Sequence, residues 1–347
     1  MRSTMQTAIL QKPRCFEIVE RPRPIASPGE AVVKIVATAV CHSDLEMYTG
    51  RHPALHYPIV LGHEATGTIE AVADDVVGLR PGQNVLINPV ISCGRCDCCI
   101  RGDGNLCRNA GIFGREIEGS LNQYVSIATG YLHPLPSGIS LAEATLIETL
   151  ATVHHAQKRV GSLTGKTIIV LGQGTTGLLH TALAHLADAN LIIAVSRTRE
   201  KLDLAERMGA HHVIQADVNE ATNEAKRLTH GRGADVVIDT VGGAEILRTG
   251  IDMLRPGGCI LSFSLNHVAF TGVGAFPLYF KEISIIGSRA LQNVDMAPSI
   301  ELVASGKINV SKFITATYPL AQTAAAFEEY ESNPGRILRI VIDSCAN

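Results

Sequence analysis

Three features of this 347-residue chain predict an α/β protein with a β-rich part and a doubly wound parallel sheet. Residues 1–150 hold short β-branched runs broken by Pro and Gly. Beyond Gly165, strand-like runs alternate with helical ones, the pattern of βα units on a parallel sheet. The third feature is composition: 32 glycines, no Trp and only 4% aromatic residues suit a chain with many tight strand–helix turns.

In the first part AVVKIVATAV, GTIEAVADDV and QNVLINPV read as strands, punctuated by SPGE and RPGQ. In the middle TIIVLG leads to the helical TTGLLHTALAHLAD, LIIAVS to REKLDLAERMGA, HHVIQA to ATNEAKRLTH, and ADVVIDTV to AEILRTGIDML, followed by the strand GCILSF. The alternation fades after ISIIGS (283–288); a helix near 295–306 and the strand-like RILRIVI follow. The simplest partition is a nucleotide-type domain at 151–289 and a first domain at 1–150 that the tail, 290–347, completes.

A chain that is 46% hydrophobic and 18% charged can bury a packed core, which excludes a disordered protein. Net charge near −3 with both signs interspersed marks no nucleic-acid or membrane surface. No apolar run approaches the ~18–20 residues needed to cross a bilayer. The opening MRSTMQTAILQKPRCFEIVE lacks the apolar centre of a signal peptide. A soluble cytoplasmic protein is expected, with its cysteines reduced.

The run IIVLGQGTTGLLHTALA sets Gly172, Gly174 and Gly177 in G-x-G-x-x-G spacing, with Thr175 and Thr176 before the last. It follows a strand and opens a helix, the context in which the motif binds a dinucleotide pyrophosphate at a helix N-terminus. About twenty residues on, an NAD site would end its second strand with Asp or Glu. Here LIIAVS ends with Ser196, followed by Arg197, Thr198 and Arg199. A hydroxyl and guanidinium groups suit a 2′-phosphate, so Ser196, Arg197 and Arg199 predict NADP(H) in preference to NAD(H).

SCGRCDCCIRGDGNLC packs five of the nine cysteines into residues 92–107. Cys93, Cys96, Cys99 and Cys107 have the spacing of four thiolates around one tetrahedral Zn²⁺; a full coordination sphere makes such a site structural. Cys98 is left over, and an iron–sulfur cluster is the alternative. A catalytic metal would need other ligands. Cys41 in AVCHSDLEMYTG, His63 in VLGHEATG and Glu148 in LIETLATVHHA are the candidates.

In this order, CHSD, GHEATG, the cysteine run, ETLATVHHA, GQGTTG, VVIDTVGG and LRPGG span nearly the whole chain. The chain thereby resembles the zinc-dependent medium-chain dehydrogenase/reductases of the alcohol dehydrogenase superfamily. Glu rather than Cys as third ligand resembles the polyol (sorbitol) and threonine dehydrogenase-like branch. The resemblance implies a GroES-like catalytic domain with a Rossmann coenzyme domain, two zincs per chain, and a homodimer or homotetramer, with ISIIGS a candidate to pair across a two-fold axis.

It also implies that Cys41, His63 and Glu148 hold the catalytic zinc and that hydride passes from a zinc-bound alkoxide to NADP(H), or back to an aldehyde or ketone. Ser43 would pass the alcohol proton outward. Glu46 stands where many relatives carry a second relay residue, His. Glu64 would support the metal or exchange with Glu148 as a ligand. Asp44 would orient His63 or a neighbouring group, or cap its helix, His154 and His155 would pack or face the cofactor, and Arg339 would contact the cofactor pyrophosphate, with Arg336 nearby. Segments 47–50 and 111–115 are expected at the substrate pocket. Three rival readings are a zinc-free quinone or enoyl reductase, a non-catalytic NADP(H)-binding zinc protein serving as a redox sensor, and a threonine dehydrogenase-like NAD enzyme. The intact ligand set argues against the zinc-free reductase.

Overall fold

The computed structural model describes residues 4–52, 56–264, 272 and 274–346. The chain forms two compact units, Met1–Ala151 together with Leu291–Asn347, and Thr152–Ala290.

The first unit is built on a seven-stranded sheet. Its path runs Ile314–Pro319, Arg339–Asp343, Glu30–Val40, Glu64–Val72, Asn84–Ile87 and Leu132–Pro134, and Tyr124–Ala128 also pairs with Glu30–Val40. Glu30–Val40 is buried along nearly its whole length, which is why AVVKIVATAV is apolar at consecutive rather than alternate positions. Two cores serve this unit. One gathers Leu10, Tyr48, Leu61, Phe327 and Ile340, and the other Val33, Ile35, Ile69, Val85 and Ile87. Each such side chain contributes about 1.5–3 kcal/mol on burial. Met47 and Tyr48, expected beside a substrate pocket, are instead 2% and 1% exposed in the first of these cores. They lie on the inward face of the short helix His42–Thr49.

The second unit is a six-stranded, wholly parallel sheet in the order His212–Gln215, Leu191–Ser196, Thr167–Leu171, Ala234–Asp239, Leu254–Ser262, Ser284–Gly287. Numbered along the chain this is 3-2-1-4-5-6, the doubly wound arrangement with its switch point beside the first strand. The helix Thr175–Leu186 is buried from Thr175 to Ala184 on nearly every side, which explains why its sequence is apolar almost all round. Ser284–Gly287 is the edge strand, with Ile285 41% exposed. Among the described residues no helix is long and apolar enough to cross a membrane.

Candidate active site and metal centres

Strand register assembles the candidate site. Ala39 pairs with Glu64, and Val40 with Ile340. Cys41, His63 and Arg339 are the adjoining residues on these three strands, so all reach the same end of the sheet. The chain then turns at Cys41 into the helix His42–Thr49, whose first turn carries Asp44. Asp44 is buried, and its carboxylate gathers the surroundings. Oδ2 accepts from the Cys41 N–H at 2.9 Å, and Oδ1 from the Gly62 N–H at 3.3 Å and from His63 Nδ1 at 3.1 Å. A histidine that donates through Nδ1 offers the lone pair of Nε2 to a cation. Burial opposes charge on the ring, but Asp44 and then Cys41 outweigh it and hold the His63 pKa well above the ordinary value.

The ligand atoms of Cys41, His63 and Glu64 lie within 4.8 Å of one another. Of the two candidate carboxylates, the one grouped with Cys41 and His63 is Glu64, and the expected Glu148 lies outside this group. Glu64 opens its strand in register with Ala39, whereas Glu148 sits on the helix Leu146–Val160. Glu148 is still close enough to sense the cluster. Burial first, then the charge of Glu64, push its pKa up to about 8, while His63 and Arg339 act in the opposite sense.

Both Glu64 carboxylate oxygens are buried without a hydrogen bond, although Arg339 Nη2 stands 3.1 Å from Oε1 as an ion partner. A thiol, an imidazole nitrogen and an unsatisfied carboxylate at this spacing fit a divalent ion that accepts S, N and O ligands. Arg339, expected at the cofactor pyrophosphate, is 2% exposed, with Nη1 donating to Val40 O at 3.1 Å and Nη2 to Thr149 Oγ1 at 2.8 Å. Its head is committed to this end of the sheet, a role that the sequence reading missed along with Thr149.

Ser43 Oγ lies 3.4 Å from His63 Nε2. Its hydroxyl therefore borders the ligand nitrogen. The Glu46 carboxylate is held by Arg51, with Nη2 at 2.8 Å and Nε at 3.2 Å from Oε1, and His42 Nε2 stands 3.6 Å away. A cavity of about 610 Å³ in the same unit, walled by Phe113, Ile117, Tyr124 and Tyr131, is lined by none of Cys41, His63, Glu64 or Glu148.

The four cysteines of the lobe converge. Cys96 Sγ is 3.5 Å from Cys99 Sγ and 3.8 Å from Cys107 Sγ, Cys93 Sγ is 4.0 Å from Cys99 Sγ, and the Cys93 N–H donates to Cys107 Sγ at 3.3 Å. Thiolates bound at about 2.3 Å to one tetrahedral centre stand about 3.8 Å apart, so these four fit zinc. None of the described cysteines forms a disulfide. Backbone N–H groups of Cys99 and Arg108 pull Cys96 down to about 6, while burial and the neighbouring thiols push Cys99 up to about 11. Cys98 stands outside the four, where Arg101 Nη2 donates to its sulfur at 3.5 Å.

At the glycine turn, Gly172 has φ +87°, and a Cβ on Gly177 would lie 2.0 Å from the Gly172 carbonyl oxygen. Gly174, just before the helix Thr175–Leu186, has nothing within 4 Å of that position, so its backbone is open to a pyrophosphate. Thr175 and Thr176 form the first helical turn. Ser196 ends its strand with Oγ accepting from the Thr198 N–H at 3.3 Å. Arg197 is largely exposed, 3.7 Å from Asp217. Arg199 pairs along its own helix with Asp203 at 2.7 Å and Glu206 at 3.3 Å. Lys201, passed over in the sequence, is half-buried near Arg197; burial and that charge lower its pKa.

A sheet in 3-2-1-4-5-6 order bearing a glycine-rich turn, in a chain whose β-rich unit also carries metal-type clusters, marks the class of nucleotide-dependent metalloenzymes. Comparison with known proteins narrows the class. Residues 27–137 match the alcohol dehydrogenase GroES-like domain, and residues 175–305 the zinc-binding dehydrogenase domain. A sorbitol dehydrogenase of Bacillus subtilis strain 168 is 30% identical over 342 residues, 97% of each chain. An Escherichia coli CFT073 alcohol dehydrogenase complexed with NADH superposes with a TM-score of 0.90 at 27% identity, covering 98% of this chain and 99% of that one. A zinc-binding dehydrogenase-type protein of Sinorhizobium meliloti 1021 bound to NADP does so with 0.88 at 28%, with the same coverage. The chain belongs to the zinc-dependent medium-chain alcohol/polyol dehydrogenases.

Proposed function

We propose that this protein oxidises polyols or simpler alcohols, and reduces the matching ketones or aldehydes, with NADP(H) preferred over NAD(H). The observation that carries the reading is the convergence of Cys41, His63 and Glu64 at one end of the sheet with the Ser43 hydroxyl at its border. Zinc held there by Cys41, His63 and Glu64 would supply Lewis acidity for an alcohol oxygen, and a bound nicotinamide would supply the hydride acceptor. Asp44 keeps the His63 proton on Nδ1 and so aims Nε2 at the metal. Ser43 Oγ would accept the alcohol proton while passing its own to solvent, since a hydroxyl both accepts and donates. Glu148 is the carboxylate proposed to trade places with Glu64. Cys93, Cys96, Cys99 and Cys107 would hold a second, structural zinc.

Preference for NADP(H) is supported by Ser196 and the exposed Arg197 at the end of the second strand, which closes in a hydroxyl rather than a carboxylate, with Lys201 alongside. The relatives described above include one bound to NADH and one to NADP, so the preference rests on these residues. The open edge strand Ser284–Gly287 supports a homodimer formed by antiparallel pairing, and the protein is proposed to be cytoplasmic.

The test is a panel of sorbitol, xylitol, threonine and primary and secondary alcohols with NADP⁺ and NAD⁺. Polyol turnover with the higher specificity constant for NADP⁺ is expected. Cys41→Ser should abolish turnover and leave cofactor binding intact, and Ser196→Asp with Arg197→Ile should reverse the cofactor preference. Turnover best with NAD⁺ and threonine would favour the threonine dehydrogenase reading. No nicotinamide-linked turnover on any substrate would favour the redox-sensor reading.

A further inference from the structure

The segment behind the candidate metal site approaches it at unusually short range. Residues 119–121 bond alongside 60–62: the Gly119 N–H donates to Val60 O at 2.8 Å, Ser120 to Gly62 O at 2.9 Å, and Leu121 to Leu61 O at 2.9 Å. A Cβ on Gly119 would lie 2.4 Å from the carbonyl oxygens of both Leu61 and Gly62, and one on Gly114 would lie 2.7 Å from the Gly62 nitrogen. Gly62 itself has φ +95°, and its missing Cβ would meet Thr38 Cγ2 at 2.8 Å and Ser120 Oγ at 2.9 Å. The peptide that precedes His63 is thus enclosed by the glycines of one loop and the side chains of two neighbours.

That peptide is wired to the ligands. The Gly62 N–H donates to the same Asp44 Oδ1 that binds the His63 ring, and Asp44 Oδ2 holds the backbone of Cys41. We propose that Gly119, with Gly114 and Ser120, is a positioning element for the catalytic metal: pressed onto the Gly62 peptide, it sets the Asp44 carboxylate against His63 and Cys41. The inference rests on the reading of Cys41, His63 and Glu64 as a metal site.

The magnitudes distinguish positioning from packing. Relieving a Cβ at 2.4 Å to even 3.0 Å demands about 0.6 Å of movement. Metal–ligand distances tolerate about 0.2 Å, and replacing groups that orient ligands costs about 10–100-fold in metal affinity.

The experiment follows zinc transfer from the full-length holoprotein to a chromogenic chelator for wild type, Gly119→Ala, Ser120→Ala and the control Gly130→Ala, whose Cβ would meet nothing within 4 Å. Each chain carries its own internal reference in the zinc of Cys93, Cys96, Cys99 and Cys107. Zinc affinity at the Cys41 site should fall about 10–100-fold in Gly119→Ala. It should fall measurably, though by less than in Gly119→Ala, in Ser120→Ala, which keeps the backbone bonds but loses the hydroxyl paired with Thr38. Gly130→Ala should match wild type, and the cysteine-cluster zinc should hold in all four. If Gly119→Ala does not fold, Ser120→Ala decides. Unchanged affinity in both loop variants, or parallel weakening of the two zincs, overturns the proposal while leaving the metal site standing. A wild-type chain that holds zinc only in the cysteine cluster refutes the metal-site reading, and this inference with it.

Discussion

Replacing His180 with glutamine should remove an acid sensitivity from the second unit. His180 lies on the helix Thr175–Leu186 at 0% exposure, edge-on to Phe263 with ring centroids 4.8 Å apart. The Gln157 side-chain amide donates to its Nδ1 at 3.2 Å and to its backbone oxygen at 2.8 Å. Nδ1 is therefore the acceptor, and the ring proton sits on Nε2, buried without a hydrogen-bond partner. A second proton would have to enter opposite an amide donor, in an apolar setting. Burial accordingly pushes the pKa down to about 3 from the ordinary 6.5. Between those values the unfolded chain binds a proton that the folded chain refuses. Stability from this group is complete above pH 6.5 and falls by about 1.4 kcal/mol per pH unit below it. At pH 5 the loss is about 2 kcal/mol.

Native-state hydrogen exchange of the central strand Thr167–Leu171 reads the opening of this unit by itself. Wild type should lose about 2 kcal/mol more protection free energy between pH 7 and pH 5 than His180→Gln, whatever the variant's baseline stability. Parallel pH curves, within about 0.5 kcal/mol, would show that His180 charges without penalty, and the argument from burial would be wrong.

Three further outcomes are expected. Cys96→Ser should reduce the zinc content from two to one per chain and expose residues 93–107 to limited proteolysis, with Cys41-site zinc retained. Gly177→Ala, whose Cβ would lie 2.0 Å from the Gly172 oxygen, should weaken NADPH binding at least about tenfold in a fluorescence titration and leave both metals bound. Arg339→Met should leave Glu64 buried without its counter-charge in metal-stripped protein. Breaking such a pair costs about 3–5 kcal/mol, seen by calorimetry as a fall of about 10 °C in Tm.

Much of this molecule was legible in its sequence where the information is local. The switch from Pro- and Gly-broken β runs to strand–helix alternation at Gly165 predicted the fold class. Within one turn of chain, Gly172, Gly174 and Gly177 spelled out the phosphate-type loop. Likewise Cys93, Cys96, Cys99 and Cys107 lie close enough in sequence for their spacing alone to restrict their geometry.

Residues distant in sequence were another matter. His63 and Glu64 are neighbours, and along a regular strand neighbours face opposite ways, which argues against both reaching one ion. The strand begins only at Glu64, however, and Gly62 at φ +95° turns the chain so that His63 lies outside the pleat. Arg339, expected from the sequence at the cofactor pyrophosphate, lies on a strand that pairs with Val40 and buries it against Glu64. The sequence alone therefore determined the fold class, the family, the glycine loop and the cysteine lobe, because periodicity and short spacing are properties of the chain itself. Tertiary structure decided which carboxylate stands beside Cys41 and His63 and where Arg339 packs. Those outcomes depend on strand register between segments up to about three hundred residues apart, and register is set by packing across the whole sheet.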